Sequence, residues 1–64
     1  MTSNGETIKE LRAKTGLSQH KFADLFNMSS LNIFNWESGR SSPPDYVVYM
    51  MDRIVELDPN IPKK

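Results

Sequence analysis

Few side chains in this sequence could carry out a reaction. The chain has 64 residues, a single histidine, His20, and no cysteine, so neither a thiolate nucleophile nor a thiolate metal site can form. One imidazole does not make a metal site without distant carboxylates, and no glycine-rich loop is available to cradle a phosphate. An enzyme is therefore a weak reading, and no cofactor, metal or small-molecule substrate is expected. What the chain does offer is a local cluster of hydrogen-bonding groups. Ser29, Ser30, Asn32 and Asn35 are interleaved with Leu31, Ile33 and Phe34 and followed by Trp36-Glu37-Ser38-Gly39-Arg40. Hydroxyls and amides of this kind recognise by donating and accepting together.

Recognition needs rigid placement, and Leu17 to Arg40 reads as two short helices folded about a tight turn. Ser18 is a suitable N-cap, and Phe22, Ala23, Leu25 and Phe26 recur at three- and four-residue spacing, so a one-sided helix is expected from Gln19 to Phe26. The capping box is incomplete, because Lys21 stands where Glu or Gln would serve. Asn27 tolerates the left-handed conformation and Ser29 can cap again, which describes a turn of about three residues. A second helix then runs from Ser30 to about Ser38, with Gly39 as its C′ glycine. At about 100° per residue, Ile33, Trp36 and marginally Glu37 share its inner side, while Ser30, Leu31, Phe34 and Asn35 share the outer side. Ile33 and Trp36 read as core.

This order of features resembles the phage Cro and repressor type of helix-turn-helix, also called xenobiotic-response-element-like, found in bacterial and phage DNA-binding regulators. The resemblance spans roughly Ile8 to Leu57. It is carried by Leu17-Ser18-Gln19, Ala23, Ile33 and Trp36-Glu37-Ser38-Gly39-Arg40 in combination, since any one piece alone would be weak. It implies an all-α, lambda-repressor-like DNA-binding domain of four to five short helices with a central helix-turn-helix. It also implies sequence-specific binding of double-stranded DNA, with the third helix in the major groove. The protein would be a small transcriptional regulator, most simply a repressor, acting in the cytoplasm on the nucleoid of a bacterial host.

The resemblance assigns residues as well. Arg12 and Glu37 match positions that form a partly buried ion pair between the first and third helices, which accounts for them better than a phosphate contact and a catalytic acid would. Gln19, Ser29, Ser38 and Arg40 match positions that touch phosphates on either side of the groove, and Lys21 could add a direct charge. On a helix in the groove, the Asn35 amide can bond adenine N6 and N7 together, a pairing worth about 1–3 kcal/mol of discrimination. Its bland alternative is an ordinary surface asparagine. Ser30 and Asn32 have weaker claims of the same kind, and Leu31 could rest on a thymine methyl.

Phe34 departs from the family pattern, which generally has a polar residue there. It is grouped with the base-contacting residues because it could dock on sugars or wedge at a base step, but leaning on Ser38 or the nearby loop, or meeting a protein partner, stays open. His20 reads as a solvent-exposed residue or a weak contact to the DNA backbone.

The flanking segments support this unit. Residues 1–5 are expected to be mobile, 6–57 to form the domain and 58–64 to be a frayed tail. Ser3-Asn4-Gly5-Glu6 has capping-box spacing for a first helix that turns Ile8 and Leu11 inward and stops at Thr15-Gly16. Ser42 as N-cap, Pro43 at the first helical position and Asp45 mark the last helix, which should end near Leu57 before Pro59. Its apolar residues, Tyr46, Val47, Val48, Met50, Met51, Ile54, Val55 and Leu57, cover roughly 200° of the wheel, where about 100° is ordinary. Either the domain wraps this helix from two sides, or Tyr46, Val48, Met50 and Leu57 form a homodimer contact.

Composition sets the outer bounds. A chain of this length makes one small domain, and its longest apolar run, Tyr46 to Met51, is far short of a membrane span. No signal peptide is visible. Eight Lys plus Arg balance eight Asp plus Glu, whereas duplex binders usually carry a basic excess. That balance, together with the Leu31 and Phe34 pair, keeps a second reading alive: a protein-interaction module on the same fold, of antitoxin or antirepressor kind.

Overall fold

Each helix begins where a side chain can satisfy its free N–H groups, apart from the last. The computed structural model describes residues 3–63 and contains α1 (Asn4–Thr15), α2 (Gln19–Leu25), α3 (Ser30–Ser38) and α4 (Asp45–Leu57). Among the described residues there is no strand, so the all-α expectation holds with four helices. The Ser3 hydroxyl accepts from the Glu6 N–H at 3.1 Å, Ser18 from Lys21 at 3.2 Å and Ser29 from Leu31 at 3.1 Å. Asn27 adopts φ 55° in the turn between α2 and α3, and Gly39 closes α3 at φ 84°, where a side chain would be strained.

α4 starts later than the sequence suggests. Pro44 is its N-cap, extended at φ −60° and ψ 151° with no side-chain cap, and Asp45 is the first helical residue. Ser42 is not the cap and Pro43 is not in the helix. The reason lies in the Pro-Pro pair: the ring of Pro44 disfavours helical geometry at the preceding residue, so the helix waits until Pro44 is passed. The start is fixed from outside instead, because the Asn4 amide donates to the Pro43 carbonyl at 3.0 Å and to Asp45 Oδ1 at 2.7 Å.

The core is formed by Ile8 and Leu11 of α1, Phe22 and Ala23 of α2, Ile33 of α3, and Met51 and Val55 of α4, all nearly or fully buried. Phe22 and Phe26 meet edge to face with centroids 5.1 Å apart, a favourable aromatic geometry. α1 packs closely on α3 at Gly5, where an added Cβ would collide with the Trp36 carbonyl oxygen. Leu25, expected on the buried side of α2, is instead exposed. It lies about 100° round the helix from the mean direction of Phe22, Ala23 and Phe26.

Two boundaries also fall differently. α1 begins at Asn4 with Gly5 buried, inside the segment expected to be mobile. Within the expected tail, Ile61 is buried, its N–H bonded to the Asp58 carbonyl, and the Lys63 ammonium donates to the Glu56 carbonyl. An apolar residue two positions past Pro59 gains by folding back against the domain.

α4 turns Met51 and Val55 inward and leaves much of its remaining apolar surface bare. Tyr46, Tyr49, Met50 and Leu57 are each more than half exposed. Val48 is only half-buried against the core, so of the residues expected at a dimer contact it is the one committed inward. Beside Met50 and Ile54, an apolar groove of about 380 Å³ runs along α4 to Leu25, Phe26 and Met28. No helix among the described residues is long and apolar enough to cross a membrane.

Candidate nucleic-acid interface

α3 is held by its inner side and free on its outer side. Ile33 is fully buried and Trp36 half-buried against the core, which fixes the rotation of the helix. The outer face then presents Leu31 at 61% and Phe34 at 43% exposure, flanked by half-buried Ser30 and Asn35. Asn32 is exposed but lies about 130° round from the middle of that face, which makes it the least well placed of the polar candidates.

The helix end and the loop after it form a compact knot around one carbonyl. The Asn35 carbonyl accepts from the Arg40 N–H at 3.0 Å, the Ser41 N–H at 3.3 Å and the Ser38 hydroxyl at 3.2 Å. This arrangement carries Arg40 back over α3, and its guanidinium sits 5.8 Å from the centroid of the Phe34 ring. Contacts of basic side chains with carboxylates among the described residues join Arg12 to Glu37, Lys14 to Glu56 and His20 to Asp24, so neither Arg40 nor Lys21 is engaged by a carboxylate. Both are exposed, as is His20. Ser29 keeps its hydroxyl proton free while capping α3, whereas Ser38 directs its proton to its own helix.

Behind this face lies a charged network. Arg12 Nε donates to Glu37 Oε2 at 2.7 Å and a terminal guanidinium N–H to Oε1 at 3.0 Å, while the other terminal N–H reaches the Leu17 carbonyl at 3.1 Å. Planar guanidinium and carboxylate groups match in this two-point geometry. The Gln19 amide adds a bond to Glu37 Oε1 at 3.1 Å. One network therefore ties α1, α2 and α3 together. The Glu37 side chain is only 7% exposed. Burial alone would raise its pKa, but hydrogen bonds from Arg12 and Gln19 and the positive charges of Arg12 and Lys9 outweigh it, and the net shift is downward. The pairing with Glu37 raises Arg12 further above its already high value, against the opposing effect of burial.

Sequence reasoning missed three of these arrangements: the bond from Gln19 to Glu37, the bridge from Asn4 to the start of α4, and the cation–π approach of Arg40 to Phe34. Only the last left a local signal, an aromatic residue six positions before an arginine across a helix-ending glycine. The other two depend on how the helices are arranged in space.

Two short helices joined through Phe26–Ser29, the second bare on one side and locked on the other, define a helix-turn-helix domain. A helix-turn-helix family profile matches residues 8–59, and the chain belongs to that family, of the Cro/C1 type, a family of DNA-binding regulators. No curated protein and no solved structure shows a significant match.

Proposed function

We propose that this domain binds a specific sequence of double-stranded DNA with α3 in the major groove, acting as a small transcriptional repressor rather than as an enzyme. The observation that supports this reading is the outer face of α3, where Ser30, Leu31 and Asn35 stand together and Arg40 lies over the neighbouring Phe34; Lys21 on α2 is exposed and, like Arg40, is engaged by no carboxylate among the described residues. Asn35 is the best candidate for reading a base, through adenine N6 and N7. Leu31 suits a thymine methyl, and Ser30 suits either base. Lys21, Arg40 and the Ser29 hydroxyl suit phosphate contacts, the first two by charge and the third by its free proton. Gln19 and Ser38 would make phosphate contacts only with what their internal hydrogen bonds leave free. Such a regulator works where its DNA lies, in the cytoplasm on the nucleoid.

A second copy is the natural partner. Tyr46, Tyr49, Met50 and Leu57 of α4 are large apolar or aromatic side chains left more than half exposed, as residues at a contact between copies would be. The test of the DNA reading is selection from random duplexes followed by sequencing. Enrichment of one short sequence supports it. Recovery of no duplex even at low salt favours the protein-interaction module, whose claim rests on the zero net charge and on the exposed Leu31 and Phe34 pair.

A further inference from the structure

Phe34 stands on the α3 outer face where a recognition helix would ordinarily be polar, and 43% of it remains exposed. The cation above it offers a reason. The Arg40 guanidinium lies 5.8 Å from the ring centroid, within the range of cation–π attraction. Its backbone is already fixed by the bond to the Asn35 carbonyl and by the left-handed turn at Gly39. A guanidinium held over a ring still has N–H groups directed away from it, and these are the groups that bond a phosphate in two points. Arginine is otherwise among the side chains that lose most rotational freedom when immobilised.

We propose that Phe34 is a positioning residue: its ring holds Arg40 ready for a DNA phosphate and does not itself read a base. This role rests on the DNA-binding reading above. In a chain of zero net charge, holding one arginine in place does part of what a larger number of mobile cations does elsewhere.

The test is a double-mutant cycle in the full chain, measured on the selected duplex and on scrambled duplexes. Phe34→Leu keeps apolar area and removes the ring face. It should weaken binding to every duplex by about two- to fivefold, the range of an exposed cation–π contact, without changing the order of base preference. Phe34→Tyr should restore wild-type affinity. In an Arg40→Ala background, Phe34→Leu should have no further effect. Losses that multiply independently, a changed preference at one base pair, or no loss at all would each overturn the positioning role. A readout without DNA accompanies the cycle: the Arg40 Cδ protons of the free protein should be shifted upfield by the ring current and return to random-coil values in Phe34→Leu. Unshifted protons in the wild type would also overturn it. Wild-type protein that binds no duplex while showing the shifted protons would overturn the DNA reading and the positioning role with it, leaving the stack as a structural contact.

Discussion

At the scale of single residues, Glu37 is the most consequential. Removing one partner of a buried ion pair costs about 3–5 kcal/mol, and because Arg12 is 24% exposed and can rehydrate, about 2–3 kcal/mol is the better expectation here. A domain of this size shifts its Tm by about 4–8 °C per kcal/mol, so Glu37→Ala should lower Tm by about 10 °C or more. A fall of one or two degrees by circular dichroism would show that the network contributes little. The pH dependence has a definite sign. The folded-state pKa of Glu37 is below its usual value of 4.5, so its contribution is complete above that value and is lost as pH falls through the lowered one. The gap in Tm between wild type and Glu37→Gln should therefore be widest near neutrality and shrink on acidification below about pH 4.5. Asn35 is consequential in the complex instead. Asn35→Ala should cost about 1–3 kcal/mol on the best duplex and little on others; an equal loss on all duplexes would remove it from base reading.

At the scale of elements, the fit of α1 on α3 turns on Gly5. In an exposed helix, Gly→Ala would stabilise by up to about 1 kcal/mol. Here the new methyl meets a backbone carbonyl, at Trp36, which cannot swing aside as a side chain can. Overpacking of about 1–3 kcal/mol should win, so Gly5→Ala is expected to lower Tm by several degrees. A raised Tm would mean that α1 and α3 are not in this close contact. The turn before α3 was legible beforehand, because Asn27 and Ser29 have side chains suited to a left-handed residue and an N-cap. α2 nonetheless ends at Leu25, so that Phe26, expected as its last residue, is its C-cap and the connection has four residues where about three were expected. The start of α4 was not, because the rule for a proline at the first helical position competes with the rule for the residue before a proline. In this chain the second prevails at Pro43.

At the scale of the whole molecule, size and charge govern how DNA would be held. Each copy has a single α3, so one copy can cover only one of two half-sites set one DNA turn, roughly 34 Å, apart. With the exposed α4 face as the dimer contact, Met50→Glu should give a folded monomer, since Met50 is 54% exposed and tolerates a charge except where a partner covers it. Sedimentation checks this, and a wild-type chain that stays monomeric at high concentration refutes the contact. Few cations flank α3, so the slope of log affinity against log salt should be shallow, about −2 to −4 per protomer, and Arg40→Ala should flatten it by about one unit while weakening all duplexes alike. A much steeper slope would mean that phosphates are met by residues elsewhere on the surface.

What the sequence determined by itself was local: the serine caps at Ser3, Ser18 and Ser29, the left-handed stops at Gly16 and Gly39, the periodic apolar positions from Ile8 to Ile33, and through them the family. These are decided within a turn or two of helix, by side chains bonding nearby N–H groups and by a repeat of 3.6 residues, so they can be read along the chain. The remainder was decided by tertiary structure. That Gln19 bonds Glu37, that Asn4 anchors the start of α4, that Ile61 is buried, and that Arg40 lies over Phe34 all depend on where separate segments meet. Such meetings follow from the crossing of helices and the path of loops, which no local spacing encodes.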